Sequence, residues 1–323
     1  MPTLIRKLPA FMLALLALVV VSCNTNDNPI DPGTEPGRPT ALAAQSRSAT
    51  SVALKWDAPA SGVTPSGYRL KYNVTGNATS DSLTVSGAST TTAVVTGLTE
   101  GTTYEFTVSA LNGSTSGLAT SSLAWAPARR TGNLRLYSNR SVNGSGLVIF
   151  DGVPRQAPIG LGQLWDLAFD DKFDASRPVI ASPGQTAYVN SEVKFTNGQT
   201  AKIVFLGRQY PGVNSLDDIW ETEDLNDAVI DSLRENAYDL SSAGGTGGLA
   251  FVFASKNNVT GKFNYGKVLV HRTNGTFVQG SGDEKYIEVE VSYQTAADVP
   301  YALRNKLAEA ETRVSTPTRP GVR

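Results

Sequence analysis

Cysteine, histidine and methionine are the residues that this chain has least of. It contains one cysteine, Cys23, one histidine, His271, and two methionines, Met1 and Met12. A single histidine excludes any mechanism that needs two imidazoles in one chain, and a single cysteine excludes an internal disulfide and a Cys/His zinc cluster. The fold must therefore be stabilised by buried apolar surface, and most nucleophilic and metal-dependent schemes lack their residues.

A large net charge of either sign is also missing. The formal net charge is −1 at pH 7, from 28 lysines and arginines against 29 aspartates and glutamates. Nucleic-acid-binding domains carry clustered basic residues, so this balance predicts no nucleic-acid partner. Abundant glycine and short alternating apolar segments favour a mostly β architecture.

The chain has a single long apolar run, from Leu8 to Val21, which follows Arg6 and Lys7. This run is shorter than the roughly 20 residues that cross a bilayer comfortably. A basic start, a short apolar stretch and a small residue at its end are typical of a secretory signal. We therefore predict that residues 1–22 are a signal peptide.

The last residues of this signal, Val20-Val21-Ser22-Cys23, resemble a bacterial lipobox. The resemblance implies cleavage before Cys23 and acylation of that residue by chains such as palmitate. An acyl chain contributes about 0.8 kcal/mol per buried CH₂, and two or more chains make a stable anchor. We expect a lipoprotein attached at Cys23 to a membrane of the bacterial cell envelope, namely the outer membrane, on its periplasmic or its surface side.

Residues 23–38 contain polar residues, prolines and glycines with little to bury, which predicts a flexible stalk. Strict alternation of apolar and polar residues follows, as in Tyr68-Arg69-Leu70-Lys71-Tyr72. The segments that carry a family resemblance are Pro39-Thr40-Ala41-Leu42, Val52–Pro59, Tyr68–Tyr72 and Leu98–Tyr104. Together they resemble a fibronectin type III domain over residues 39–128.

That resemblance implies an immunoglobulin-like sandwich of seven strands, in which Leu98 and Tyr104 form the tyrosine corner. Type III modules act most often as spacers or as docking surfaces. The loop Asn112–Gly117 contains no Arg-Gly-Asp sequence. We therefore expect a rigid spacer, with a protein-binding or glycan-binding loop surface as the alternative.

Residues 129–301 are predicted to form a second β-rich domain with one or two helices. Ser215 is suited to cap a helix that begins at Leu216 and buries Ile219 and Trp220, because Asp217 and Asp218 would complement the helix dipole. The final segment, 302–323, is expected to contain a short helix and a disordered tail. The predicted fold is therefore a type III sandwich followed by a second β-rich domain.

Three segments of the second domain carry a further resemblance, namely Trp165–Phe169, Gly266–Gly275 and Lys285–Val291. They are similar to the HmuY-like haem-binding lipoproteins. The resemblance, over residues 131–301, implies a β-rich haem scavenger. That family binds the haem iron through two histidines or through methionines, and this chain offers His271 alone outside its signal. We therefore expect no cofactor, and we keep haem or metal scavenging as the first alternative function.

Candidate ligand contacts in the second domain are His271, Trp165 and Asp166. His271 lies where a strand runs into the Asn274-Gly275 turn, and Asp166 begins a carboxylate cluster that continues to Asp174. Paired carboxylates are the catalytic groups of glycosidases, so a carbohydrate-active enzyme or a glycan-binding accessory protein is the second alternative. The leading expectation is a non-catalytic, membrane-anchored protein that binds an extracellular protein or glycan, with no catalytic residue and no metal ligand assigned.

Overall fold

The computed structural model describes residues 35–159, 165–172, 174–183, 202–220, 237–257 and 259–299. The predicted signal, most of the predicted stalk and the predicted terminal helix and tail lie outside this part of the chain. No helix within it is long and apolar enough to cross a membrane.

Eight strands form the first sandwich. They are β1 (Thr40–Ser48), β2 (Ser51–Asp57), β3 (Gly67–Val74), β4 (Asp81–Ser86), β5 (Thr92–Thr96), β6 (Tyr104–Asn112), β7 (Thr115–Ala119) and β8 (Leu123–Trp125). One sheet has the order β1-β2-β5, and the other has the order β4-β3-β6-β7 with β8 also on β6. All these pairings are antiparallel, and β7 and β8 share β6 as their neighbour.

The alternating pattern of the sequence places its large apolar residues between these two sheets. Trp56, Tyr68, Leu70 and Phe106 are all buried in one cluster. Trp56 and Tyr68 meet edge to face, with ring centroids 5.2 Å apart. The expected tyrosine corner is present, because the backbone N–H of Thr99 donates to the Tyr104 hydroxyl at 3.0 Å.

A second sandwich follows. Its described elements are β9 (Arg129–Arg130), β10 (Leu134–Tyr137), β11 (Gly146–Val148), β12 (Arg155–Ala157), β13 (Leu167–Asp170), β14 (Val179–Ala181), β15 (Lys202–Val213), η1 (Leu216–Asp218), β16 (Ala237–Asp239), β17 (Gly248–Asn257), β18 (Phe263–Val270), η2 (Gly282–Glu284) and β19 (Tyr286–Tyr293). The larger sheet has the order β10-β19-β18-β17-β15 with β9 beside β19, and the smaller one has the order β12-β11-β13-β14-β16.

The larger sheet is apolar on both faces, which explains its near-continuous hydrophobic strands. On the inner face, Phe253, Val268 and Val291 pack against the smaller sheet in one core. On the outer face, Val252 and Ala254 belong to the hydrophobic cluster of the type III sandwich. The first sandwich therefore covers part of the outer face of this sheet.

Helices are where the sequence-based prediction fails. In place of the helix expected from Leu216, the described residues contain a single 3₁₀ turn, Leu216–Asp218, and the only other helical element among them is η2. Ser215 does cap the turn, in a capping box with Asp218. The helix stops because Ile219 is extended, with φ −100° and ψ 99°. The continuation expected after residue 220 lies outside the described residues.

Two carbonyl groups of this turn are occupied by side chains from elsewhere, which fixes it in place of a helix. The amide Nε2 of Gln45, in the first sandwich, donates to Leu216 O at 2.9 Å and to Ile219 O at 3.1 Å. The ammonium of Lys267, in the second sandwich, donates to Ile219 O at 3.3 Å. One carbonyl therefore accepts hydrogen bonds from both sandwiches.

We call this contact region the junction, and its centre is Trp125. The Trp125 side chain is 0% exposed, and its indole N–H donates to Ser46 Oγ at 2.9 Å. Lys267, only 2% exposed, places its ammonium 5.6 Å from the centroid of the Trp125 ring. Asp217 is ion-paired with both Arg47 and Arg130 at the rim. The two sandwiches thus share a hydrophobic core and a network of polar contacts.

Candidate functional site

A cavity of about 500 Å³ opens at one end of the second sandwich, and we call it the end cavity. Its walls come from the loop after β13, the loop after β16 and the hairpin between β18 and β19. Small-ligand sites typically occupy about 300–1,000 Å³. The end cavity therefore has the size of a site for one or two sugar units or a comparable small molecule.

The β18–β19 hairpin forms one wall, and its turn follows the sequence signal. Asn274 and Gly275 both have positive φ, 53° and 82°, as an Asn-Gly hairpin turn requires. The Arg272 guanidinium stacks on Phe277 at 4.3 Å and donates from Nη2 to Ala243 O at 2.8 Å. It also donates from Nη1 to Gly245 O. Arg272 therefore ties the hairpin to the loop after β16.

Asp171 is the one carboxylate among the described residues that line the end cavity. It follows β13 directly and is 4% exposed. The hydroxyl of Ser138 donates to Asp171 Oδ1 at 2.5 Å, and the backbone N–H of Ser138 donates to Lys285 O at 2.7 Å. Ser138 thus holds Asp171 and Lys285 at the same edge of the cavity.

The hydroxyl groups of Ser176 and Ser241 also line the cavity. Ser176 Oγ donates to Asp174 Oδ1 at 2.7 Å, and Ser241 Oγ donates to Asp239 Oδ1 at 2.6 Å. The Ser176 hydroxyl, with a second hydrogen bond from its backbone N–H, lowers the pKa of Asp174 below its ordinary value. Because both serines use their protons on these carboxylates, their oxygens are left as acceptors towards the cavity.

Arg177 and Asp239 form an ion pair behind this wall. Arg177 Nε lies 2.6 Å from Asp239 Oδ2. Burial alone would raise the pKa of Asp239, but the hydrogen bonds from Ser241 and Arg177 outweigh it, so the pKa lies below its ordinary value. Asp239 is therefore an ionised group that fixes the loop after β16 at neutral pH.

The residues that the sequence marked as ligand contacts lie elsewhere. Trp165 is 0% exposed and packs with Val148 and Val179 in a core cluster. Asp166 is also fully buried, where it accepts the backbone N–H of Ile149 at 2.7 Å and the hydroxyl of Ser255 at 3.3 Å. Contact with a ligand from solvent does not fit this burial, so we assign both residues to the core.

His271 is half-buried and precedes Arg272 on the chain. Its backbone N–H donates to Glu288 O at 2.8 Å, which extends the pairing of β18 with β19. It is absent from the described residues that line the end cavity. Alternation along the strand places it on the outer face with Leu269, whereas Arg272 faces the cavity.

Sequence reasoning named Asp171 within a carboxylate cluster but missed Arg272 and Lys285 as site residues. The hairpin signal could have found them, because the two strands of a hairpin start and end at the same edge of the sheet. Arg272 follows β18 and Lys285 precedes β19. The contribution of the loop after β16 had no comparable signal in the sequence.

Comparison with known proteins identifies the first sandwich. Residues 37–124 match the family described as Fibronectin type III domain. Together with the tyrosine corner, this match shows that the first sandwich is a type III domain. It covers the part of the chain for which that resemblance was expected.

Similarity to a named protein is limited to part of the chain. A stretch of 75 residues is 44% identical to the chitinase Chi52 of Paenibacillus xylanexedens, which is 23% of this chain and 13% of that enzyme. Among solved structures, a chain described as a myokine is 18% identical over 28% of this chain and 98% of its own length, with a TM-score of 0.26. The FN5 domain of Drosophila Lar is 24% identical over 28% and 96%, with a TM-score of 0.25.

Proposed function

We propose that this protein is a non-catalytic lipoprotein of the bacterial cell envelope that binds a sugar unit of a glycan in its end cavity. The observation that carries the proposal is the cavity itself, about 500 Å³ in volume and lined by hydroxyl, carboxylate and ammonium groups beside an apolar wall. Sugars present hydroxyl groups around an apolar ring, and a site of this composition matches both. The type III domain supports a binding or spacer role for the first sandwich.

Anchoring at Cys23 supports the cellular part of the proposal. In this proposal Cys23 is acylated and is followed by the polar segment of residues 24–34. The end of the predicted stalk belongs to the folded part instead, because Pro36 pairs with Gly62 of the type III domain. The polar composition of residues 24–34 favours a linker between the anchor and the folded part. The outer membrane is the membrane that we propose, with the folded part in the periplasm or at the cell surface.

A binding role is supported over hydrolysis by the charges of the cavity. Glycosidases use two carboxyl groups about 5–10 Å apart across the bond that is cleaved. Asp171 is the single acidic residue among the described lining residues, and one of its oxygens already accepts the Ser138 hydroxyl. The similarity to part of a chitinase is consistent with a protein that meets glycans, without assigning that enzyme's activity to this chain.

The experiment uses the mature chain with Cys23→Ser, which leaves a soluble protein. Its binding is measured on an array of bacterial and host oligosaccharides, and the release of reducing sugar is followed in parallel. We expect binding to a defined group of glycans without hydrolysis. Binding should weaken in Asp171→Asn and stay unchanged in Asp57→Asn, a control at the exposed end of β2. Release of sugar, or an array without a bound glycan, would overturn the proposal.

A further inference from the structure

Lys285 is a cation in the lining of the end cavity, and it has no ion pair with any residue that the structure describes. Of the two cations in the described lining, Arg272 is engaged by two backbone carbonyls and by the Phe277 ring. The Lys285 ammonium has neither an ion pair nor a hydrogen bond to any residue that the structure describes. Lys285 is part of the cavity lining, so its ammonium is available to a ligand there.

An anionic group is the natural partner for such an ammonium. Hydrogen bonds between ionised groups are about twice as strong as those between neutral groups. A neutral ligand that filled the cavity would displace water from Lys285 and return no opposite charge. An acidic ligand would replace that water with an ion pair, so the cavity discriminates between the two.

The remaining polar groups of the cavity are hydrogen-bond acceptors, so they favour a ligand that donates hydrogen bonds. Asp171 Oδ1 is used by Ser138, which leaves Oδ2 as an acceptor. The oxygens of Ser176 and Ser241 are acceptors too, because their protons go to Asp174 and Asp239. Hydroxyl groups on the ligand would satisfy these acceptors. The ligand therefore needs several hydroxyls together with one anionic group.

The apolar part of the cavity adds a third requirement. Leu240, Phe277 and Pro178 contribute to the lining, and Arg272 covers one face of the Phe277 ring. Leu240 and Phe277 are nearly fully buried, so of these three Pro178 offers the most surface to the C–H face of a sugar ring. We infer that the end cavity selects an acidic sugar, whose anionic group pairs with Lys285 while its hydroxyls donate to Asp171 and the two serines. This inference rests on the proposed function and specifies its ligand class.

The test compares matched acidic and neutral sugars on the soluble full mature chain. The probes are an array of neutral, uronate-bearing and sulfated oligosaccharides, followed by calorimetric titration of the best acidic glycan and its neutral analogue. We expect the acidic glycan to bind at least about tenfold more tightly, in line with the strength of a charged hydrogen bond. This preference should shrink as salt rises from about 0.05 M to about 0.5 M, because salt screens a partly exposed charge.

Two lysine variants locate the effect. Lys285→Gln should remove the preference for the acidic glycan over its neutral analogue. Lys262→Gln is the control, since Lys262 is exposed and lies before β18, about 25 Å from the cavity end of that strand at about 3.3 Å per residue. Circular dichroism spectra that match the parent protein establish that both variants are folded.

The outcomes separate this inference from the function on which it rests. Equal affinity for acidic and neutral glycans, or a preference that survives Lys285→Gln, overturns the assignment of an acidic sugar and leaves glycan binding in place. An array in which no sugar of any class binds overturns both. A preference for acidic glycans that depends on Lys285 supports both, and the uronate and sulfate members of the array then show which anionic group is bound.

Discussion

Replacing Trp125 with alanine tests whether the two sandwiches depend on one another. The indole is completely buried at the junction and contacts both sandwiches, through Ser46 on one side and Lys267 on the other. Truncating a buried tryptophan to alanine costs about 3–5 kcal/mol. Loss of the ring also removes the aromatic partner of the Lys267 ammonium, an interaction worth about 2 kcal/mol when desolvated. We expect the free energy of unfolding to fall by at least about 4 kcal/mol, a large share of the roughly 5–15 kcal/mol typical of a domain.

Urea unfolding of the soluble mature chain measures this loss, with far-UV circular dichroism reporting on both sandwiches together. Limited proteolysis adds local information, because an uncovered outer face of the larger sheet should be cleaved sooner. Trp125→Phe keeps most of the ring and loses the hydrogen bond to Ser46, so it should cost about 1–2 kcal/mol. The control is Leu118→Ala on β7, which is 66% exposed and should change stability by less than about 0.5 kcal/mol.

A loss of less than about 1 kcal/mol in Trp125→Ala would contradict a shared core, since a residue shared by both sandwiches must cost more than a surface residue. The same holds if the type III domain unfolds at lower urea while the second sandwich keeps both its midpoint and its resistance to protease. Either result would show that the two sandwiches are stable separately and that their shared core contributes little.

Three further expectations follow from the anchor, the histidine and the loop after β16. Cys23→Ser should move the protein from the membrane fraction to the soluble fraction, and retention in the membrane would refute acylation as the anchor. Haem titrated into the soluble protein should give no shift of the Soret band, and a shift lost in His271→Ala would restore the scavenger alternative. Asp239 has a folded-state pKa below its ordinary value, so it stabilises the fold above the unfolded-state pKa, and this contribution is lost as the pH falls through the folded-state pKa. Asp239→Asn should therefore lower stability at pH 7 and flatten its decline in acid, and an unchanged pH profile would contradict this assignment.

Strand patterns and the tyrosine corner could be predicted because they depend on local alternation and on residues close in sequence. Tyr104 needs only the backbone of Thr99, five positions away, to satisfy its hydroxyl. The helix at Leu216 could not be rejected in the same way. Its carbonyls accept from Gln45, 171 residues earlier, and that contact overrides the local helix signal.

The candidate site could be predicted only in part from the sequence, for a related reason. Trp165 and Asp166 looked suitable for ligand contact because aromatic and acidic residues are common in binding sites. Both side chains are buried in the core, where Asp166 accepts hydrogen bonds from the backbone N–H of Ile149 and the hydroxyl of Ser255. Lys285 and Arg272 looked like ordinary residues at the ends of strands. They line the same cavity as Asp171 because of how the two sheets are stacked, and the residue pattern along a single strand does not encode that stacking.

The Ile219 carbonyl, which accepts hydrogen bonds from both sandwiches, limits how the type III domain can be exchanged in evolution or by engineering. In most modular proteins a type III domain can be exchanged for another, since a linker is all that connects it to the rest. Here a replacement would have to provide an amide where Gln45 stands and an aromatic ring where Trp125 stands, or leave Lys267 buried without its neighbours. We therefore expect the two halves of the folded chain to be inherited and engineered as a pair, with substitutions at the junction tolerated only when both sides change together.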